Sequence, residues 1–560
     1  MAFFLKKSTL KGRTYLSIVE SFYSHDKRGA SHRTYKSLAS VETWKAKGID
    51  DPIAYFQKEV DELNSQRNIN KVHEISDISP KRYLGYFPLK SILNKLDIKK
   101  YINYFKLNTH FSFDLFDVLS SLIFARAVKP CSKYKTYYEV LPYLFENVDF
   151  SYDQLLEGLG FFGNNYEKIV ELFTAQTKTH YGIETTSAYF DCTNFYFEID
   201  KENDFQKKGP SKERKTDPII GLGLLLDSNQ IPIEMKMYPG NESGKPIIRK
   251  VINKLKEQNN IKGKTIQVAD KGLNCARNIY EARINKDGYL FSKSVKQLPD
   301  TEKTWVLLDN DYIDKKDKDG HVLYRYKECI DVFPYEFIDD DGKKIKFKVR
   351  EKRVVTYNPS LAKKKLYEID RMVEKAKYLC ISKAKKEEYG ESSKYVDFKG
   401  KDGNKVVVTI NEEKIEKDKK VAGYNLLVTS ETKMKPLEIY ETYHNLWRIE
   451  ESFKIMKSDL DARPAFMKTE NTIKGHFLIC YLTVLLERIF QFKVLENKCS
   501  SESIFKFFKE FEVVKAENKY INIISKTDFI VHLKEMTNLP ITNYLLTETQ
   551  IKKVLNHKFK

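Results

Sequence analysis

The sequence predicts an α/β protein in which helices cover a mixed sheet, and three observations predict this fold class. Between residues 187 and 300, strand-like runs first follow one another and then alternate with helical runs. Before this region, apolar residues recur at three- and four-residue spacing from 84 to 186, which indicates a helical domain. After it, a β-rich segment over residues 301–430 breaks the pattern, and helical periodicity returns from Pro436.

The individual elements follow from the local pattern of apolar residues and turn residues. Two β-like runs at 13–20 and 32–38 predict a basic hairpin. In the central region we predict strands at 189–197, 219–226, 231–238, 265–270 and 288–292, and helices at 245–257 and 274–284. Further along we predict strands at 345–357 and 405–410, helices at 361–384, 436–460 and 473–492, and a helical, Lys-rich C-terminus.

These elements divide the chain into six predicted segments, a number in keeping with its length of 560 residues. In chain order they are a hairpin with its linker (1–80), a helical domain (81–186) and the first part of an α/β core (187–300). A β-rich insertion (301–430), the second part of the core (431–492) and a helical C-terminal region (493–560) follow.

The composition favours a polyanionic partner. The 97 Lys and Arg residues exceed the 78 Asp and Glu residues, which gives a formal charge of +19 and a pI near 9.1. Nucleic acid is the expected partner because counterion release supplies most non-specific affinity for it. A generally Lys-rich composition explains the same surplus, so the charge alone does not decide. With 41% hydrophobic residues, the chain does not have the composition of a disordered protein.

Cysteine usage and hydropathy indicate the cellular setting. The seven cysteines include no CxxC pair, so a disulfide scaffold or a zinc ribbon is not expected. The longest apolar stretch starts at Phe477 and ends after ten residues, which is too short to cross a bilayer. We therefore expect a soluble cytoplasmic protein with no membrane partner.

Two aspartates occupy chemically costly positions in predicted strands. Asp191 lies in the middle of an apolar strand, where a carboxylate is expensive to desolvate unless it is paired or binds a cation. Asp270 ends another apolar strand and precedes Lys271 and Gly272, at the edge where open α/β sheets bind ligands. For either residue alone, a structural cap or turn role explains the position equally well.

A third acid lies in the predicted helix 436–460. Tyr443, Glu450 and Lys457 are seven residues apart, so nearly two helical turns place them on one face. Trp447 precedes the acid by three residues. An amphipathic helix with ordinary core aromatics is the alternative interpretation of this pattern.

The combined pattern resembles the DDE transposases of bacterial insertion sequences, specifically the IS-four-like superfamily and its IS-sixteen-thirty-four-type branch. The family signature is an aspartate in a first strand, an aspartate before glycine in a later strand, and a helix of the form Tyr-x2-Arg-x3-Glu-x6-Lys. Matching positions here are Asp191, Asp270, Tyr443, Glu450 and Lys457, and Gly209-Pro-Ser-Lys212, Pro239-Gly-Asn241 and Arg463-Pro464 are similar to further family blocks. The resemblance covers residues 10 to 490.

The resemblance implies an RNase H-like catalytic core interrupted by the β-rich insertion, with the hairpin arm and the helical domain binding DNA ends and the C-terminal region contacting DNA or a second copy. It also implies two Mg²⁺ ions, with Mn²⁺ as a substitute, held by Asp191, Asp270 and Glu450. Carboxylates suit this hard cation, and two such ions stabilise the attacking and leaving oxygens of phosphodiester chemistry. Asp191 would bridge the ions, and Asp270 and Glu450 would each complete one site.

One signature position departs from the family pattern. The helix carries Leu446 where the family has arginine, and Arg448 is rotated by roughly 200° from that position on a regular helix. This departure bears on a phosphate contact rather than on the three acids. The candidate DNA contacts are Tyr443, Trp447, Arg448, Lys457, Ser211 and Lys212.

Some of these residues have ordinary structural explanations as well. Trp447 would stack on a flipped base, as in transposases that form a hairpin intermediate, or would pack in the core. Ser211 and Lys212 lie in a charged loop of the kind that is often simply solvated. His476 is expected to be a buried, hydrogen-bonded histidine rather than a metal ligand.

The predicted function is cut-and-paste transposition. The protein would bind the terminal inverted repeats of an insertion sequence, cleave both ends with Mg²⁺ and join the 3′ ends to target DNA, as a homodimer on double-stranded DNA in a bacterial nucleoid. Two alternatives remain open at this point: a transposase-derived DNA-binding protein that no longer cleaves, and an RNase H-like nuclease without strand transfer.

Overall fold

The structure is a computed structural model in which the chain forms two compact units. Residues described are 3–24, 29–73, 79–107, 109–199, 201–209, 217–242, 244–258, 264–381, 386–399, 407–463 and 467–559. Unit 1 comprises Met1–Lys81, Val514–Ile521 and Leu545–Glu548, and unit 2 comprises Arg82–Val513, Asn522–Tyr544 and Thr549–Lys560.

Unit 1 contains an antiparallel three-stranded sheet followed by two helices. Its elements are β1 (Phe3–Leu10), β2 (Arg13–Ser24), β3 (Gly29–Ser40), α1 (Val41–Ala46) and α2 (Pro52–His73). Both strands of the predicted hairpin are present, and β1 adds a third strand that pairs with β2. Helix α1 begins where the Ser40 hydroxyl accepts a hydrogen bond from the Thr43 amide, which satisfies one of the free donors of the first turn.

A mainly helical region opens unit 2. It begins with β4 (Lys81–Tyr83), whose first residue belongs to unit 1, and continues with α3 (Phe87–Lys95), α4 (Ile98–Lys106), α5 (Leu115–Val128), α6 (Lys133–Lys135), α7 (Tyr152–Asn164) and α8 (Tyr166–Tyr181). Asp114 caps α5 by accepting hydrogen bonds from the Phe116 and Asp117 amides, and Ser151 and Gln154 form a capping box at α7. Helix α5 is buried along its whole length, which explains its almost continuous apolar sequence.

The central sheet follows. Its first strands and helices are β5 (Ser187–Tyr196), β6 (Ile219–Leu226), β7 (Pro232–Pro239), α9 (Gly244–Gln258), β8 (Ile266–Ala269), α10 (Ala276–Ile284) and β9 (Gly288–Lys293). The spatial order is β7-β6-β5-β8-β9. The first three strands are antiparallel, whereas β5, β8 and β9 run parallel to one another. All five strands were predicted from the sequence.

The next region extends this sheet instead of forming a separate one. Its elements are α11 (Asp300–Leu307), β10 (Ile313–Lys316), β11 (Val322–Ile338), β12 (Lys344–Tyr357), α12 (Pro359–Ile381), β13 (Val396–Lys399), β14 (Val407–Ile410), α13 (Glu412–Lys420) and β15 (Tyr424–Thr429). Strand β15 pairs with β9, and β12, β11 and β10 follow outward. Their pairing covers the β9 edge, which would otherwise present unpaired amides and carbonyls. Only β13 and β14 form a small sheet of their own in the described residues of this region.

The predicted helix 436–460 is interrupted in the structure, and the C-terminal region is not purely helical. The remaining elements are α14 (Pro436–His444), α15 (Trp447–Lys454), α16 (Glu470–Ile489), α17 (Ser501–Glu510), β16 (Glu512–Ala516), β17 (Lys519–Asn522), α18 (Asp528–Thr537), β18 (Leu545–Thr547) and α19 (Glu548–Leu555). The prediction of helix throughout the C-terminus was wrong, because β17 and β18 pair as antiparallel strands. Alternating burial within short strands such as β17 follows a period of two and not the helical period.

The apolar core of unit 2 lies on both faces of the central sheet. On one face, Ala188, Phe190 and Ala269 pack with Ile248 of α9 and Ile279 of α10. On the other face, helix α16 lies with sixteen of its twenty residues buried. Within the described residues, no helix is both long and apolar enough to cross a membrane.

Candidate active site

The sheet register brings the first two candidate acids together. Strands β5 and β8 are parallel neighbours, and their last paired residues are Phe190 and Ala269. Asp191 and Asp270 are the next residues on the two strands, so they lie side by side where β8 ends. Phe190 and Ala269 point into the core on one face of the sheet. Because side chains alternate across a strand, the carboxylates of Asp191 and Asp270 lie on the opposite face.

Tyr443 connects these two acids with the third. It lies at the end of α14, which packs on β8 and β9, and Ser292 of β9 is near its side chain. Burial and then the charge of Asp270 raise the pKa of Tyr443, and the charges of Glu450 and Asp191 add to this shift. The phenol therefore stays neutral at physiological pH, with the three carboxylates in its surroundings.

Glu450 reaches this site from α15, which packs on β5 and β6. Its side chain is exposed, and no hydrogen bond or ion pair engages it among the residues that the structure describes. The adjacent Glu451 points elsewhere and binds Arg448 at 3.0 Å and Arg488 of α16 at 2.9 Å. Glu450 is therefore available for a cation while its neighbour fixes the helix.

The helix that carries these residues changes geometry twice. Between α14 and α15, the Leu446 and Ile449 amides bond to carbonyls three residues back, which tightens the chain at Asn445 and Leu446. After α15, residues Ile455–Asp459 form a π-helical stretch. The structure therefore does not contain the predicted regular helix with Tyr443, Glu450 and Lys457 on a single face. The tight and wide turns rotate these side chains away from their α-helical spacing.

Lys457 nevertheless lies on the same face of β5 as Asp191. Its ammonium is 5.4 Å from the centre of the Phe195 ring, and Phe195 lies four residues after Asp191 on β5, so both side chains leave the strand on one face. Arg463 lies next to the neighbouring strand residue, 5.4 Å from the Tyr196 ring.

The other candidate contacts on α15 have defined surroundings. Trp447 is 47% exposed, so it is not a core aromatic, and the Arg448 guanidinium lies 3.9 Å from its ring centre. Arg448 is occupied by this ring and by Glu451. Leu446, at the position of the family arginine, is 7% exposed and packs inside the protein. Ser211, Lys212 and Pro464 lie outside the described residues.

A cavity of about 300 Å³ opens beside the paired aspartates. Asp191 and Asp270 line it together with the loop after β7, which includes Gly240 and Asn241 of the predicted family block. A Cβ atom on Gly209 would lie 2.1 Å from the Gly240 carbonyl oxygen, so only glycine allows these two loops to meet. The cavity lining also contains polar residues that the sequence pattern did not indicate: Asn194, Glu242 and Lys245. The proximity of Glu242 to Asn241 in the sequence is a signal that could have identified it.

The donor set fits a hard divalent cation. Asp191, Asp270 and Glu450 offer only carboxylate oxygens, which are the ligands that Mg²⁺ prefers. Their oxygens do not all lie within 4.8 Å of one another. Within the described residues, the group that satisfies this distance is Asp317, Asp319 and His321. These three residues form the exposed turn between β10 and β11, where Asp317 accepts hydrogen bonds from the other two amides.

His476 has the structural role that the sequence predicted. It is 2% exposed, and its ring nitrogens contact the Ala462 carbonyl oxygen and the Lys133 ammonium, both at 3.2 Å. Burial and then the charge of Lys133 hold the pKa of His476 well below its usual range. It lies outside the carboxylate site.

Comparison with known proteins identifies the family. The family model described as the transposase DDE domain matches residues 196–486, slightly more than half of the chain. The protein therefore belongs to this family of DDE transposases. The matched segment includes Asp270 and Glu450 and begins five residues after Asp191.

The chain is also similar to a solved structure described as the cryo-EM structure of the piggyBac transposase synaptic complex with hairpin DNA. The sequence identity is 11%, the TM-score is 0.35, and the match covers 84% of this chain and 81% of that chain. No curated protein sequence matches this chain.

Proposed function

We propose that this DDE transposase catalyses cut-and-paste transposition of an insertion sequence, binding the terminal inverted repeats, cleaving at the ends and joining the 3′ ends to target DNA. The observation that carries this proposal is the register of β5 and β8, which sets Asp191 beside Asp270 on the sheet face where α15 presents Glu450. Two carboxylates on neighbouring strands, with a third acid on the helix that faces them, suit phosphoryl transfer by bound cations.

In this proposal Asp191, Asp270 and Glu450 hold two Mg²⁺ ions, or Mn²⁺ in their place. Bound there, the ions would supply an activated oxygen nucleophile and stabilise charge on the leaving oxygen. Tyr443, which remains a neutral donor, would hydrogen-bond a phosphate oxygen, and Lys457 would pair with a phosphate farther along β5. Trp447 has an exposed ring that would contact bases, and the half-buried Arg448 guanidinium against that ring would contact the backbone.

The wider assignments belong to the same proposal. The order β7-β6-β5-β8-β9, three antiparallel strands followed by parallel ones, supports an RNase H-like core. The IS-four-like superfamily and its IS-sixteen-thirty-four-type branch are supported by the spacing of Tyr443, Glu450 and Lys457. We further propose a homodimer on two DNA ends, acting at a bacterial nucleoid, since transposition joins two ends in one event.

The test is end cleavage by the full-length protein on a duplex carrying the repeats that flank its gene. We expect Asp191→Asn, Asp270→Asn and Glu450→Gln each to lower Mg²⁺-dependent cleavage at least a hundredfold, with DNA binding retained. Asp317→Asn, in the exposed acidic turn, is the control and should cleave like the wild type. Wild-type cleavage by all three active-site variants would refute the assignment.

One observation favours a second candidate, a DNA-binding protein that no longer cleaves. Leu446 replaces the signature arginine and is buried, so it offers no phosphate contact. The same assay separates the possibilities, because a pure binding protein retards the duplex without nicking it. An RNase H-like nuclease would nick the duplex and leave no joined products.

A further inference from the structure

A second cavity, of about 340 Å³, lies in the helical region of unit 2, away from the carboxylate site. Its walls come from the end of α5, from α6 and α7, from Asp461 and Met467, and from Thr472 and His476 of α16. We call it the cationic pocket, because Arg126 and Lys133 line it, with the neutral His476 ring beside them. Arg126 contacts the carbonyl of Leu460, and Lys133 contacts the ring of His476. Each pair is more than 300 positions apart in the sequence.

Two buried cations of this pocket have no anionic partner within the described residues. Arg126 is 5% exposed and donates to the carbonyl oxygens of Leu460 at 3.3 Å and Cys131 at 3.0 Å. Lys133 is 8% exposed, and its ammonium contacts His476 Nδ1. Neither forms an ion pair with a carboxylate, although Asp461 lines the same cavity. Buried charges without a counterion are costly to desolvate, so an anion that entered this pocket would be stabilised by both cations.

The protonation of Lys133 reflects this missing counterion. Burial and then the nearby Arg126 charge lower the pKa of Lys133 to about 7. The groups that face it are Arg126 from α5, Cys131, and His476 and Cys480 from α16. An anion placed in the pocket would reverse the shift, because it would stabilise the charged ammonium.

The mouth of the pocket carries aromatic rings. Tyr134, which is 59% exposed, lies 4.6 Å from Tyr138 and 5.9 Å from Tyr152, measured between ring centres. Tyr134 and Tyr152 also line the cavity itself. Exposed aromatic rings beside a cationic groove are the combination with which proteins hold single-stranded nucleic acid, since bases stack on the rings while cations take the phosphates.

We propose that the cationic pocket binds the phosphate group of a nucleotide, with its base stacked on the tyrosines at the mouth. Arg126 and Lys133 contact the phosphate oxygens, and Tyr134 and Tyr152 contact the base. The phosphate comes from a DNA strand or from a free nucleotide. Binding here does not depend on the proposed cleavage, because Asp191, Asp270 and Glu450 do not line this cavity.

The experiment measures binding of tetrathymidylate, thymidine 5′-monophosphate and thymidine to the full-length protein by isothermal titration calorimetry. Lys133→Met should weaken binding of the phosphate-bearing probes at least tenfold. Lys135→Met is the matched control on the same short helix, where the lysine is exposed, and it should bind like the wild type. Preference for tetrathymidylate identifies a DNA strand as the source, and equal affinity for the monophosphate identifies a free nucleotide.

Two further variants guard against a trivial result. Tyr134→Ala changes an exposed ring, so it should fold normally and weaken tetrathymidylate binding several-fold. Asp191→Asn should bind the probes unchanged, which separates failure of this site from failure of the proposed function. Without probe, Lys133→Met should melt at or above the wild-type temperature, because the variant no longer buries an ammonium that lacks a counterion.

The pH dependence gives an independent readout. Tetrathymidylate phosphodiesters do not titrate between pH 6 and pH 9, whereas Lys133 loses its proton near pH 7 in the absence of ligand. Affinity should therefore fall as pH rises through this range in the wild type and stay flat in Lys133→Met. Probe binding that is unaffected by both Lys133→Met and Tyr134→Ala would overturn the proposal.

Discussion

Tyr443 shows how one residue reports on a whole site. Its phenol lies near Ser292 of β9, and the charges of all three candidate acids act on it. A neutral phenol held among carboxylates can donate a hydrogen bond but cannot act as a base at physiological pH. Its expected role is to orient a phosphate oxygen beside the acids.

Tyr443→Phe tests this role at the residue scale. The ring packing is kept and one hydrogen bond to a charged group is lost, worth about 1.5 kcal/mol, so end cleavage should fall about tenfold. Because the raised pKa keeps the wild-type phenol protonated, the ratio of the two rates should stay constant from pH 6 to pH 9. Tyr440→Phe removes the hydroxyl of a ring that stacks on Tyr324, and this control should cleave like the wild type.

Trp447 gives a second test at this scale. The ring is 47% exposed and carries the Arg448 guanidinium, so Trp447→Ala should leave the melting temperature nearly unchanged. If the ring stacks on a base, the substitution should cost about 1–3 kcal/mol in binding of a cleaved DNA end, measured by fluorescence anisotropy. Unchanged affinity for that end would contradict the stacking role.

At the scale of elements, α16 holds α15 in place. Arg488 is fully buried in α16 and donates to Glu451 at 2.9 Å and to Gln491 at 2.6 Å, with Ser452 also within reach. Glu451 and Ser452 directly follow Glu450. The planar guanidinium therefore fixes the turn of helix that presents the third acid to the sheet.

We predict that Arg488→Lys raises the Mg²⁺ concentration needed for half-maximal cleavage several-fold. A lysine keeps the charge but cannot reach Glu451, Ser452 and Gln491 at once, so α15 would be held less firmly. The measurement is a Mg²⁺ titration of end cleavage. Arg283→Lys, at an exposed contact to the Lys348 carbonyl oxygen, should leave the titration curve in place.

Helix α16 also contains an acid with a stability cost. Glu487 is fully buried, and desolvation raises its pKa to about 7 despite the neighbouring Arg488 and the hydrogen bond from Ser501. A folded-state pKa above the unfolded value means that the folded protein binds the proton more tightly. This contribution to stability is therefore full at pH 4 and is lost as pH rises from about 4.5 to 7.

Glu487→Gln should remove that loss. We expect the variant to gain about 1–3 kcal/mol relative to the wild type between pH 5 and pH 8, because the amide stays neutral throughout. Thermal unfolding at pH 5, 6, 7 and 8 measures the difference. A wild-type stability that rises over this range, with no change in the variant, would contradict the assignment.

At the scale of the whole molecule, the charge of +19 predicts strongly salt-dependent DNA binding. A protein that neutralises six to ten phosphates loses about 10³–10⁵ in affinity between 50 and 200 mM salt. Fluorescence anisotropy of a labelled duplex across this range measures the slope. Asp191→Asn should leave the slope unchanged, since the carboxylate would bind cations and not phosphates.

Several features of the fold were predictable from local pattern. The strands β5 to β9 were predicted because their sequences are runs of apolar residues. Asp191 and Asp270 were identified because a charged residue is unusual in such a run. The extension of the sheet by β15, β12, β11 and β10 was not predicted. Which strand pairs with the free edge of β9 depends on tertiary structure, and no local sequence pattern predicts it.

The sequence by itself determined the candidate acids, their spacing, and most of the strands and helices that carry them. Only the tertiary structure decided that Asp191 and Asp270 are neighbours, that the helix breaks at Leu446, and that Arg126 and Lys133 meet His476 in a common pocket. Local propensity is a property of a few consecutive residues, whereas these contacts join residues as much as 343 positions apart. Packing of distant apolar surfaces selects such contacts, so they become visible only when the chain has folded.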